Sequence, residues 1–255
     1  IATVHSSSLC ALLFFYGVSK SNPYELNIAG IDYVFTESYF EYQNTVIEGR
    51  NPSNMDVVLI GKEKKTGLKT VFFIESKFSE YYERTGKQFN ISTEYLKDKY
   101  GEGIYKSGCL EKMGISLIER AGEPEFSIDS ENSCYLEGIK QMVSHFIGVV
   151  KLCDSPTSKD DAIAKAIVAG AKVILGEILF TDRIGELPVN KNEKCFESYR
   201  TRYQVLSEEL NTQLSKYGMN EKVIVLPNIL SYDIFKGAKC IKEDRIKRFY
   251  FEMGK

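Results

Sequence analysis

The sequence predicts an α/β fold, with a mixed central sheet flanked by helices. Three observations lead there. Asn54–Ile60 and Val71–Lys77 are rich in Val, Ile and Phe, with a polar, glycine-bounded stretch from Gly61 to Gly67 between them, the pattern of a β-hairpin. Tyr135–Leu152 carries Ile139, Met142, Val143, Phe146, Ile147 and Val150 on one stripe, the spacing of an amphipathic helix. Beyond it, the apolar runs Ala171–Phe180 and Lys222–Leu226 have the length and composition of strands covered on both faces. Helices and strands alternating in this way form layers around a sheet.

Taken in order, His5–Ser19 reads as a helix, with Ser6, Ser7 and Ser8 as N-cap candidates and Ser21-Asn22-Pro23 as its stop. Ile31–Phe35 and Tyr39–Ile47 show partial alternation and many β-formers, so two strands are expected. A turn at Gly49–Asn54 delivers the chain into the hairpin. From about residue 84 to 133, weak periodicity, several glycines and scattered lysines indicate an insertion of short helices and loops. Its lysines and tyrosines suit strand binding, and suit a solvated excursion equally well. After the Tyr135–Leu152 helix, Asp154–Ser158 breaks the chain and Asp160–Ala169 is a short Ala-rich helix. Asp182–Asn192 is a loop, and Phe196–Tyr217 is a long helix with Tyr199, Tyr203, Leu206, Leu210 and Leu214 on one side, stopped by Gly218. Ile229–Phe235 extends the sheet, and the tail from Lys239 to Lys255 is basic. A single domain over residues 1–255 accommodates all of this.

Composition narrows the function classes. The 255 residues are 43% hydrophobic and 27% charged, ordinary for a globular chain with a real core. The formal net charge of −2 gives no global basic excess, so any nucleic-acid surface must be local. Six cysteines, none in a C-x-x-C spacing, and two histidines argue against a zinc site of ordinary pattern and for buried thiols in a cytoplasmic protein. The apolar run Leu9–Val18 is too short to span a membrane, so no membrane partner is expected.

The chemistry concentrates in the hairpin. Asp56 and Glu75 each sit inside an apolar strand, a costly position unless the acid has a partner such as a metal ion. Glu75 and Lys77, two apart on a strand, share a face. A register that sets Asp56 beside Glu75 places two carboxylates and an amine on one patch. Magnesium prefers such oxygen ligands, completed by water and substrate phosphate. The Ser76 carbonyl offers another oxygen, and Lys77 an amine to position water or offset charge on phosphate. A plain cross-strand ion pair is the competing explanation of Glu75 and Lys77.

Asp56, an intervening hairpin and Glu75-Ser76-Lys77 resemble the signature of the PD-(D/E)XK nuclease superfamily, with Met55 where the family usually has Pro. The resemblance implies a restriction endonuclease-like αβββαβ core, here with an insertion and a C-terminal extension. It implies a magnesium-dependent (or manganese-dependent) nuclease acting on nucleic acid, DNA in the first instance, with a homodimer as a common arrangement. Asp56, Glu75 and Ser76 would hold the metal, and Lys77 would position the water. Gln141, on the helix after the Glu-x-Lys strand, would orient Lys77 or the phosphate. His145, four residues on, takes a place the family often gives to an aromatic residue. Glu41 is the candidate for an additional upstream acid, with Glu48 second and an exposed strand Glu as the alternative. Arg50 is a candidate phosphate contact or a surface arginine. The rival functions are a non-catalytic nucleic-acid-binding module, a phosphohydrolase acting on small phosphate esters, and an interaction domain without metal affinity.

Overall fold

The computed structural model describes residues 7–49, 51–77, 94–120, 123–128, 137–156, 161–179 and 193–231. It is a mixed α/β structure built on one sheet. Helix α1 (Ser7–Phe15) precedes β1 (Tyr24–Ile28), β2 (Ile31–Asn44), β3 (Ser53–Glu63) and β4 (Lys69–Lys77). Three short helices follow, α2 (Glu94–Lys97), α3 (Lys99–Lys106) and α4 (Cys109–Lys112). Then come the hairpin β5 (Ile115–Arg120) and β6 (Glu123–Ile128), α5 (Glu137–Asp154), α6 (Ala162–Val168) and β7 (Lys172–Leu179). Helix α7 (Glu193–Lys216) leads to β8 (Val223–Val225) and β9 (Ile229–Leu230).

Strands β1 to β4 form an antiparallel meander, and β7 joins β4 in parallel, giving the order β1-β2-β3-β4-β7-β8 with β9 also on β7. The parallel step requires a crossover, which the chain makes through α5 and α6. One face of the sheet packs on α5, α6 and α7 through Val58, Phe73, Leu175, Phe146 and Leu206, all fully buried. The other face is covered by α1 and β1, with Phe14, Phe15, Leu26, Leu59, Phe72 and Ile74 in a second core. The two central strands are therefore apolar on both faces, which is why their sequences read as continuous hydrophobic runs.

Several expected boundaries change. The two expected strands at 31–47 are one 14-residue strand, irregular between Phe35 and Glu37. Tyr24–Ile28, unassigned in the sequence, forms the edge strand β1 through a turn at Ala29-Gly30. The expected hairpin loop shortens because β3 runs on to Glu63, whose amide bonds the Leu68 carbonyl. The insertion contains a β-hairpin as well as short helices, and α3 and α4 pack against α7. The loop at Asp182–Asn192, the tail from Lys239, Arg50, Cys134 and Cys240 lie outside the described residues. Cys109, Cys153 and Cys195 are buried free thiols, and burial pushes the first two up to about 12, so they are inert packing residues. Among the described residues no helix is long and apolar enough to cross a membrane.

One close approach holds the sheet at its irregular point. A Cβ on Gly61 would lie 2.2 Å from the Val34 carbonyl oxygen and 2.6 Å from the Phe35 Cα, both backbone atoms. Gly61→Ala is expected to destabilise the fold by about 1–3 kcal/mol, as overpacking does, read as a lower midpoint in denaturant unfolding. An unchanged midpoint would show that β2 and β3 do not approach so closely here.

Candidate active site

The site forms where β3 and β4 emerge from under α1 and α5. The β3–β4 register pairs Val57 with Ile74, so the next position along brings Asp56 beside Glu75. That is the juxtaposition anticipated from sequence. Its local cause is a break in alternation. Met55 packs into the α5 core with Val58 and Ile60, whereas Val57 and Leu59 belong to the opposite core. The β2–β3 ladder keeps its register from Phe40↔Val57 to Tyr42↔Met55, but Glu41 between them, opposite Asp56, has a φ of 49°. A non-glycine residue in the left-handed region is uncommon and marks a constrained point. Such irregularities re-aim a side chain within a sheet, and here the irregularity falls on Asp56.

The Asp56 carboxylate is held from two sides. Its Oδ2 accepts the Ser76 amide at 2.8 Å, and its Oδ1 accepts the hydroxyl of exposed Ser8 at 2.9 Å. Ser76 Oγ in turn donates to the Ser7 carbonyl at 2.8 Å, tying the start of α1 to β4. The Ser76 amide and hydroxyl are thus committed, so its carbonyl is the one group of Ser76 that could serve a cation.

Glu75 lies deeper, 4% exposed, and both of its oxygens are occupied. Lys77 Nζ is 2.5 Å from Oε1 and donates also to Gln141 Oε1 at 2.7 Å. His145 Nε2 is 3.0 Å from Oε2, and its Nδ1 is 2.5 Å from Ser53 Oγ. Gln141 and His145 are one turn apart on α5, so a single helix face carries both. The structure therefore brings together Asp56, Glu75, Ser76, Lys77, Gln141 and His145. Glu41 is exposed and lies opposite Asp56 in the β2–β3 ladder, between the pairs Phe40↔Val57 and Tyr42↔Met55; among the described residues neither Glu41 nor Glu48 makes a hydrogen bond or ion pair to the cluster.

Sequence reasoning missed the floor of the site. Glu177 on β7 is the register partner of Glu75 and is fully buried. Tyr199 Oη donates to its two oxygens at 2.8 and 2.7 Å, and Asn228 Nδ2 donates at 2.6 Å. Buried Tyr203 Oη has no hydrogen-bond partner among the described residues and lies in the field of both Glu177 and Glu75. Glu177 carried the same signal as Asp56 and Glu75, an acid within an apolar strand, and Tyr199 and Tyr203 were legible only as an apolar stripe. Ser53 carried no signal of its own, and Ser8 was legible only as a helix-cap candidate.

Three acids in one neighbourhood have three different proton affinities. Burial alone would raise Glu75, but Lys77 and then His145 outweigh it and hold the carboxyl at about 2. Burial, then repulsion from Glu75, raises Asp56 to about 6 against the Ser76 amide and Lys77. Burial likewise raises Glu177 to about 8, with Lys77 and Tyr199 opposing and Glu75 adding to the rise. The arrangement is a buried, cation-compensated carboxylate flanked by two carboxyls that take up protons near neutrality.

Among the described residues, no group of three or more His, Cys, Asp or Glu side chains is arranged to hold a metal ion. A closed protein cage is therefore not formed by these residues. The donor set fits the alternative that magnesium ordinarily uses, one or two carboxylates completed by water and phosphate. Asp56 Oδ1, covered only by an exposed serine, is the accessible ligand, while Glu75 would have to exchange Lys77 or His145 for a cation. Comparison with known proteins finds no matching family model, no matching curated protein and no matching solved structure.

Two outcomes follow from the burial of these charges. Lys77→Met strips a buried carboxylate of its nearest cation and is expected to cost about 3–5 kcal/mol, measured by chemical denaturation. A loss below about 1 kcal/mol would mean that His145 alone compensates Glu75, because breaking a compensated buried pair costs several times that. For Glu177, the folded chain keeps a proton that the unfolded chain releases between its ordinary 4.5 and about 8. Its contribution to stability therefore falls as pH rises through that window. Glu177→Gln removes the titration, so its thermal midpoint should vary less with pH than that of the wild type across the window. Parallel curves for the two proteins would show that Glu177 is ionised throughout.

Proposed function

We propose that the chain is a magnesium-dependent nuclease that hydrolyses phosphodiester bonds, with DNA as the first substrate class. The observation that carries the reading is the convergence of Lys77 on Glu75 and Gln141, with Asp56 docked on the intervening Ser76 amide. Five residues separated by up to 85 positions meet here, and they are the ones to which the Asp56…Glu75-Ser76-Lys77 resemblance would give roles. The element order α1-β2-β3-β4-α5-β7 supports the same reading, because it runs in the order of a restriction endonuclease-like αβββαβ core.

Each residue then has a task. Asp56, with Glu75 beside it, would supply the carboxylates that hold the cation, and Ser76 would supply a carbonyl; the chemistry gained there would be polarisation of a phosphoryl oxygen and a more acidic water. Lys77, fixed between Glu75 and Gln141, orients the attacking water and offsets charge growing on the phosphate. Gln141 holds the ammonium in place from α5. His145 positions Glu75, and Ser53 fixes the ring. The row Ser53–His145–Glu75 has the composition of a nucleophile, base and acid. Ser53 is 9% exposed and His145 2%, so a substrate carbonyl has little access to this serine. That favours a supporting role for the row.

The test is magnesium and manganese titration by calorimetry on wild type, Asp56→Asn and Glu75→Gln, with supercoiled plasmid in parallel and circular dichroism as the folding control. Metal binding lost in both folded variants, with plasmid nicked only by wild type, is the expected result. Because the Asp56 carboxyl is raised to about 6, metal affinity should weaken as pH falls through that value. Metal binding with turnover of a small phosphate ester and no effect on plasmid would move the assignment to a phosphohydrolase. DNA binding without cleavage would make the chain a non-catalytic module. No metal affinity in wild type would leave Glu75 and Lys77 as a structural pair.

A further inference from the structure

The fold carries a second charged feature, at the opposite end of the sheet. A groove of about 650 Å³ opens between α6, the β3–β4 hairpin and β2. Lys20, Lys62, Lys69 and Lys165 line it, with Glu37 as its single acid. Its apolar surface comes from Val34, Ile60 and the alanines of α6, Ala162 and Ala166 among them. None of the four lysines makes an ion pair or side-chain hydrogen bond among the described residues, whereas neighbouring Lys64 is paired with Glu25. Glu37 already accepts the Tyr39 hydroxyl at 2.7 Å.

Two facts make this more than a solvated rim. Lys62 and Lys69 are direct cross-strand partners in the β3–β4 ladder. Like charges set opposite one another on a sheet destabilise the pairing, and an anion bridging them removes that cost. The net charge of the whole chain is −2, so an excess of three positive charges in one groove is a local concentration against the global balance. The volume falls in the range of small-molecule sites, which combine apolar walls with a few polar anchors. Lys69 lies six residues before Glu75 on β4, about 20 Å along an extended strand, so a ligand of this size in the groove does not reach the candidate active site.

We propose that this groove binds a nucleoside di- or triphosphate, its phosphates on the lysines and its base and sugar against the apolar wall formed by Ile60 and α6. The anion charge matches the excess, and a mononucleotide fills the volume. The site is separate from the Asp56–Glu75 cluster and does not depend on the nuclease reading.

The probe is ATP, titrated by calorimetry in the presence of EDTA so that metal-dependent binding elsewhere is silent. Inorganic triphosphate and a short single-stranded DNA are titrated alongside. Wild type is expected to bind ATP saturably, and a Lys62→Gln/Lys69→Gln double variant to bind at least about tenfold more weakly. Both lysines are exposed, so that variant should keep the wild-type fold, checked by thermal melting. Glu75→Gln should bind ATP as wild type does, which separates this site from the first. No saturable binding up to about 1 mM, or binding unchanged in the double variant, would overturn the proposal. So would triphosphate binding as tightly as ATP, which would remove the base from recognition. Oligonucleotide binding more tightly than ATP and lost in the double variant would replace the nucleotide with a polymeric strand.

Discussion

The compensation of Glu75 is the constraint on which the site depends. A carboxylate that is 4% exposed stays ionised only if it is compensated, and the Lys77 ammonium and the His145 ring meet it from two different elements. Each of those partners is fixed in turn, Lys77 by Gln141 and His145 by Ser53. The chain of contacts joins β3, β4 and α5 at one point. It fixes how α5 lies across the sheet, because two consecutive turns of that helix must present Gln141 to Lys77 and His145 to Glu75. The apolar stripe of α5 sets which face is buried, and the polar pair specifies the helix's position along the strands.

The divergence of the three carboxyls follows from who faces them rather than from depth. Glu75 and Glu177 are both almost fully buried and are neighbours in the β4–β7 ladder, yet one is held at about 2 and the other raised to about 8. Glu75 holds the Lys77 ammonium and the His145 ring directly; Glu177 feels Lys77 only at a distance and is hydrogen-bonded by a phenol and an amide. Asp56 is less buried and has a serine and a backbone amide, so it falls between them at about 6. Ionising one member of such a cluster makes the next harder to ionise, so the three titrate as a set.

Much of this was legible in the sequence, and the limits have physical causes. The long α5 and α7 helices and the central strands follow from periodicity, because their burial is one-sided or complete. The Asp56–Glu75 juxtaposition follows from a hairpin register that keeps apolar faces inward. What could not be read was non-local. Glu177 looks like one acid among apolar neighbours until a parallel ladder, joined through a crossover of nearly a hundred residues, sets it against Glu75. The edge strand β1 was hidden because Tyr24–Ile28 is short and gains its stability from pairing and from Phe15 packing on Tyr24. Glu41 drew attention as an acid on a strand, but its backbone twist, invisible in composition, marks the site while its side chain remains exposed.

Burying this many charges has a cost that stability alone does not justify. A buried ion pair is often no better, and sometimes worse, than the apolar residues that would fill the same volume. The sheet here already has two hydrophobic cores, one on each face, and has no need of polar contacts to hold it together. Yet the ends of its central strands bury Glu75, Lys77 and Glu177, and α5 adds His145. Replacing them with Leu or Met would keep the pattern of the surrounding strands and remove several desolvation penalties. Tyr203 of α7 makes the same point, since it buries a hydroxyl with no hydrogen-bond partner among the described residues where Phe would fit without that loss. Packing alone does not account for acids, a lysine and this phenol gathered at one strand end, and the proposed nuclease site would give them a reason to be there.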